Sequence, residues 1–94
     1  MNKRQLVSAA ARRTSLTQGQ VREALDAMLE IIAEVLAEGG CVALGDFGRF
    51  EAHHYPTRRL QRFGGKGHYT VDGRPVPVFK SSAALRRRVK ENRS

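Results

Sequence analysis

The chain has 94 residues, one cysteine, and 17 Lys/Arg against 9 Asp/Glu, for a net charge of +8. A chain this short buries only about 60–65% of its unfolded surface, so its own core is marginal. Cys41 stands alone, which excludes an internal disulfide, and Cys41, His53, His54 and His68 lack zinc-finger spacing, so association with another chain is the remaining route to stability.

No apolar run approaches the roughly 20 residues of a membrane span. Met1-Asn2-Lys3-Arg4 leads into a mixed segment rather than an apolar signal sequence, and a single unpaired cysteine fits a reducing compartment. The expected location is cytoplasmic. Charge is segregated along the chain: residues 1–46 carry five cations and six anions, whereas residues 47–94 carry twelve and three. Solubility does not require such segregation; attraction to a polyanion does.

Asn2 is placed to cap a first helix, with Gln5 at the reciprocal capping-box position, and the helix extends to about Arg13 with Leu6, Ala9 and Ala10 on its apolar face. Thr14-Ser15-Leu16 is a break. Thr17 and Gln20 repeat the capping box, and Leu16 and Val21 are spaced as a hydrophobic staple. The second helix runs to about Glu38 and stops at Gly39-Gly40. Its Val21, Leu25, Met28, Ile32 and Val35 form a stripe that Ala24, Leu29, Ile31 and Leu36 widen. Two helices cannot bury so wide a surface between themselves, so the stripe reads as core shared with a second subunit.

From Cys41 the period changes to two. Cys41–Leu44 reads as a strand, Gly45-Asp46 as a turn and Phe47-Gly48-Arg49-Phe50 as the start of the returning strand. Residues 51–75 are polar, rich in Gly, His and Arg, and unable to pack a core; they form a loop, an extended arm or a disordered segment. Within them Tyr69-Thr70-Val71 has strand character and Asp72-Gly73 the composition of a tight turn. Val76-Pro77-Val78-Phe79 is a second apolar anchor. Ser81 or Ser82 caps a last helix over Ala83 to about Lys90, with Ala84, Leu85 and Val89 inward and Arg86, Arg87, Arg88 and Lys90 outward. Cys41 reads as a small apolar core residue. His53 and His54 point to opposite faces of a strand and form no metal pair.

Two helices, a strand, the Gly-x-Phe-Gly-x-Phe run at Gly45 to Phe50, a long basic arm, the Val76-Pro77-Val78-Phe79 return and a short basic helix with Ala84-Leu85 make up a known layout. With Met1-Asn2-Lys3 and Gln5-Leu6 at the start, the chain resembles the HU/IHF family of bacterial histone-like DNA-binding proteins over essentially its whole length. The resemblance implies an α+β fold and an intertwined dimer. Its parts are a helical-hairpin body, a three-stranded sheet, an extended β-arm and a C-terminal helix. Residues 1–94 would form one domain: 1–40 the dimerisation hairpin, 41–80 the sheet and arm (the arm about 51–75), and 81–94 the C-terminal helix. The dimer core would hold Leu25, Met28, Leu29 and Ile32 with Leu44, Phe47, Phe50 and Phe79.

The implied activity is binding, bending and compaction of duplex DNA in the nucleoid, largely without sequence preference, by arms that lie along the minor groove. No cofactor, metal, membrane or small-molecule substrate is implied. The arm cations Arg58, Arg59, Arg62, Lys66 and Arg74 would follow the groove, while Lys3, Lys80, Arg86 and Lys90 would hold flanking DNA; the N-termini of the first and last helices offer further N–H groups. The family's arm tip carries Arg-Asn-Pro, whose proline wedges between base pairs. Here Gln61-Arg62-Phe63 stands in its place, followed by Gly64-Gly65-Lys66-Gly67. Phe63 either replaces the proline as the wedge, packs on Leu60 or Tyr69, or is simply exposed. Lower in the arm, His53, Tyr55 and Pro56 occupy positions where arginines or strand residues are expected, and Pro56 must lie at an edge or a bulge.

Two other classes compete. An RNA-binding protein would use the same basic arm, but Tyr55, Phe63 and Tyr69 are the only aromatics it offers for stacking. A protein-interaction module would use the arm on an acidic partner. An enzyme is disfavoured by the lack of a nucleophile–base pair, paired carboxylates or a phosphate-loop motif.

Overall fold

The computed structural model describes residues 1–61, 67–71 and 73–92, which divide into two compact units, residues 1–34 and 35–94. In the first, helix α1 spans Lys3–Arg12 and helix α2 begins at Gln18 and continues to Ala37 in the second. Both capping boxes form. The Gln5 N–H donates to Asn2 Oδ1 at 2.9 Å and the Asn2 N–H to Gln5 Oε1 at 2.8 Å. The Gln20 N–H donates to Thr17 Oγ1 at 3.1 Å and the Thr17 N–H to Gln20 Oε1 at 2.9 Å. In the break between the helices, Thr14 Oγ1 donates to the Ala10 carbonyl and accepts from the Leu16 N–H.

The apolar face of α1 includes Val7, which the sequence expectation left out. Val7, 2% exposed, is the one buried apolar side chain among those described, while Leu6 is about half exposed. Leu6, Val7, Ala10, Leu16, Val21, Leu25 and Met28 line an open apolar groove between the two helices. The second helix has no buried residue. Met28 is 54% and Leu29 47% exposed, and Leu25 and Ile32 are only half-buried.

In the second unit α2 ends in a Schellman pair: the Gly40 N–H donates to the Val35 carbonyl at 2.9 Å and the Gly39 N–H to that of Leu36 at 3.0 Å. Strand β1, Cys41–Leu44, turns through a Phe47 N–H to Leu44 carbonyl bond of 2.9 Å into β2, Gly48–Tyr55. Strand β5, Arg74–Ser81, pairs antiparallel on the other side, giving the order β1-β2-β5. The register places Val42 against Phe50 and Phe50 against Phe79, so one sheet face is aromatic. The Phe79 ring sits 5.0 Å from that of Phe50 and 5.5 Å from that of Phe47. Gly48 is required here, because a Cβ would lie 2.6 Å from both the Phe79 ring and the Lys80 carbonyl. This accounts for the second glycine of the Gly-x-Phe-Gly-x-Phe run.

The same pleat corrects the reading of Cys41. Val42 and Leu44 take the aromatic face, so Cys41 falls on the opposite face, in register with Glu51, and is exposed rather than part of a core. Pro75 and Pro77 lie two apart on β5, facing His54 and Ala52. Neither has an N–H, so their ladder positions are those whose nitrogens face the open edge of the sheet, and that edge is blunted.

Beyond Glu51, where the pairing with β1 stops, β2 and β5 continue as a two-stranded ribbon. Strands β3, Arg58–Gln61, and β4, His68–Val71, extend it as a second ladder. Tyr55 faces Arg74 and Arg58 faces Val71, so the break leaves the register unchanged. Pro56 lies in this break, as its missing donor requires. The tight turn expected at Asp72-Gly73 is not where the chain reverses. Asp72 lies outside the described residues, and the reversal falls between Gln61 and His68. Gly73 instead packs under the break: its N–H donates to Thr57 Oγ1 at 3.0 Å, and a Cβ on it would lie 2.5 Å from the Tyr55 carbonyl oxygen.

Helix α3 spans Ala83–Glu91, and Ser82 rather than Ser81 is its cap, accepting from the Leu85 N–H at 3.0 Å. Of Ala84, Leu85 and Val89, expected to face inward, only Leu85 is half-buried; the unit offers the other two nothing to pack on.

Candidate nucleic-acid interface

Alternation along the strands gives the sheet two unlike faces. Opposite the aromatic one, β2 places Arg49, Glu51, His53 and Tyr55, and β5 places Arg74, Val76, Val78 and Lys80. Four of these eight can carry positive charge, on a surface continuous with the arm. Two of the cations share one carboxylate: Lys80 Nζ lies 2.7 Å from Glu51 Oε1, and Arg49 Nε lies 3.2 Å from Glu51 Oε2. The hydrogen bond from Lys80 holds the Glu51 carboxyl below its ordinary range against partial desolvation, helped by the charges of Lys80, Arg49 and His53. Next along β2, the His53 ring meets that of Tyr55 edge-on at 4.5 Å.

The cations expected from sequence fall into several settings. Lys80 and Arg74 share the polar face, and Arg59 is exposed on β3. Arg58 opens β3. Arg62, Phe63 and Lys66 lie outside the described residues, and with them the question of the wedge. In the first unit, Lys3 forms an ion pair with Asp26. Arg86 folds back, donating to the Ser81 carbonyl, so part of its hydrogen-bonding capacity is already used; Lys90 is exposed on α3. At the helix N-termini, Asn2 and Ser82 accept from the Gln5 and Leu85 N–H groups. Sequence reasoning missed Arg49, His53 and Tyr55. The signal was present, since period-two spacing puts all three on one face with Glu51.

A family model described as bacterial DNA-binding protein matches residues 1–90. The chain belongs to this family. The DNA-binding protein HU of Thermotoga maritima is 33% identical over 90 residues, covering 96% of this chain and all of the relative. The HU-alpha protein of Escherichia coli is 34% identical with the same coverage. Among solved structures, an Anabaena HU–DNA cocrystal structure superimposes with a TM-score of 0.82 at 32% identity, covering 95% of this chain and 97% of that one. Thermotoga maritima HU superimposes at 0.69 with 30% identity, covering 95% and 98%. This DNA-binding family is not an enzyme family. The α+β fold expected from sequence is therefore the family's fold. Among the described residues no helix is long and apolar enough to cross a membrane, and no group of His, Cys, Asp and Glu is arranged to hold a metal.

Proposed function

We propose that this protein is an architectural binder of duplex DNA that works as a homodimer, with the polar sheet face and the arm as its contact surface. The observation that carries this reading is the two-faced sheet, with Arg49, Arg74 and Lys80 on one side of β2–β5 and Phe50 and Phe79 on the other. The aromatic side supports the dimer: Phe47 is 52% exposed, and an aromatic cluster left this open marks an interaction surface. The open stripe of α2 supports it equally. Leu25, Met28, Leu29, Ile32, Leu44, Phe47, Phe50 and Phe79 are the residues we assign to the dimer core. Lys3, Arg58, Arg59, Arg62, Phe63, Lys66, Arg74, Lys80, Arg86 and Lys90 are those we assign to DNA, in a protein that occupies the nucleoid.

Affinity comes from phosphate neutralisation, with a salt slope of about −0.9 per contact. An arm in the minor groove meets a degenerate base code, so deformability rather than sequence sets preference. Gel-shift titration on a linear and a nicked duplex at two salt concentrations tests this. Tighter binding to the nicked duplex that weakens steeply with salt is expected. Equal binding to both would leave a coat that does not kink DNA, and tighter binding to a matched RNA would replace DNA as the partner.

A further inference from the structure

His53 sits in an unusual place on the polar face. The ladder with β1 ends at Glu51, so no strand flanks His53 on that side, and its partner on β5 is the apolar Val76. On its own strand it lies between Glu51 and Tyr55, and Arg74, in register with Tyr55, is its diagonal neighbour. The carboxylate two residues before it, Glu51, is already bound by Lys80 and Arg49. Lys80 lies beyond Val78, and Cys41 is the nearest titratable group of β1. The imidazole is exposed and forms no ion pair among the described residues. Arg74 is the one cation diagonal to His53, and the Glu51 carboxylate is shared between Lys80 and Arg49, so the local charge balance is positive. A phosphate arriving on that face reverses the balance, because an opposite charge within about 4–6 Å favours the protonated form. Imidazole is the side chain whose charge changes between about pH 5 and 8.

We propose that His53 is a conditional phosphate contact, which takes up a proton as duplex DNA docks on the polar sheet face, so that DNA affinity rises as pH falls through the histidine range. The inference rests on the DNA-binding reading above and adds to it a residue and a linked proton. Each imidazolium–phosphate hydrogen bond is charge-assisted. The chain also supplies its own control. His54 is the next residue on the strand and points to the opposite face, in register with Pro75.

The test is fluorescence-anisotropy titration of the full-length protein on one linear duplex from pH 5.5 to 8.5 at constant ionic strength. The wild type is expected to bind roughly tenfold or more tightly at the acid end. His53→Gln should flatten that profile, His53→Arg should flatten it at high affinity, and His54→Gln should retain the wild-type profile. A wild-type slope that survives in His53→Gln, or is lost in His54→Gln, would overturn the proposal while leaving DNA binding intact. Failure of the wild type to bind at any pH would overturn the DNA-binding reading itself.

Discussion

The Ser82 hydroxyl donates to the Asp46 carbonyl while accepting from the Leu85 N–H, and the Ser82 N–H donates to the Phe47 carbonyl at 3.0 Å. One residue thus clamps the β1–β2 turn to the start of α3, the helix that carries Arg86, Arg87, Arg88 and Lys90. Ser82→Ala removes the cap and leaves the Asp46 carbonyl without its donor. The expected loss is about 1–2 kcal/mol, at the upper end for an N-cap because two bonds are lost. Ser82→Thr should recover most of it. Urea denaturation of the three proteins at equal concentration measures the difference, and an unchanged midpoint for Ser82→Ala would show that the clamp contributes nothing.

Gly73 and Pro56 together set the break in the arm. Any side chain at residue 73 meets backbone, at 2.5 Å from the Tyr55 carbonyl oxygen and 2.7 Å from the Thr57 nitrogen, and backbone cannot swing aside as a side-chain tip can. Gly73→Ala should cost about 1–3 kcal/mol of local strain. It should be relieved where the ladder is already interrupted, by separating β3–β4 from β2–β5. Amide hydrogen exchange reads this directly. Amides of β3 and β4 should lose protection while those of β1 keep theirs, and a uniform loss across the sheet would contradict a localised break.

Glu51 links stability and binding with opposite signs. Its carboxyl titrates below the ordinary value in the folded protein, mainly through the Lys80 hydrogen bond. Its contribution to stability is therefore fully present above the ordinary carboxylate range and is lost as pH falls through the lowered folded value. Glu51→Gln should be less stable than the wild type at pH 7, and the difference should shrink as pH falls through the lowered folded value; thermal melts stepped down from pH 7 measure it. The same substitution frees Lys80 and Arg49 for phosphate. DNA affinity should rise and the salt dependence should steepen, and a weaker, flatter salt dependence would show that Glu51 positions these cations rather than competing for them.

Much of this was legible before the fold was known, because local chemistry decides it. Asn2/Gln5 and Thr17/Gln20 are reciprocal caps whose partners are three residues apart, and both formed. Alternation placed His53 and His54 on opposite faces. What was not legible depended on contacts between distant residues. The role of Gly73 is set by the backbone at Tyr55 and Thr57, across the ribbon, and nothing in Asp72-Gly73 distinguishes that from a turn. The exposure of Cys41 follows from which face Phe50 and Phe79 occupy, and a four-residue strand alone does not reveal it. The burial of Val7 rather than Leu6 similarly reflects the rotation of α1, which Leu6, Ala9 and Ala10 do not fix by themselves.

Leu29 gives the sharpest test of the dimer. It lies mid-way along α2 and is 47% exposed, with Met28 and Ile31 exposed beside it. A lone chain would tolerate a charge at such a position, and surface substitutions usually change stability by less than about 0.5 kcal/mol. If the stripe is buried against a second copy, Leu29→Glu places an unpaired carboxylate in an apolar interface and costs several kcal/mol. Obligate dimers of small chains have no stable monomer to fall back on, so the variant should be unfolded at concentrations where the wild type is folded. Sedimentation equilibrium and circular dichroism together decide this. The wild type should sediment at twice the chain mass, with a melting temperature that rises with concentration, and Leu29→Glu should lose helix signal and mass together. A folded, monomeric Leu29→Glu would show that each chain is stable alone and that the open aromatic face and α2 stripe serve some other partner.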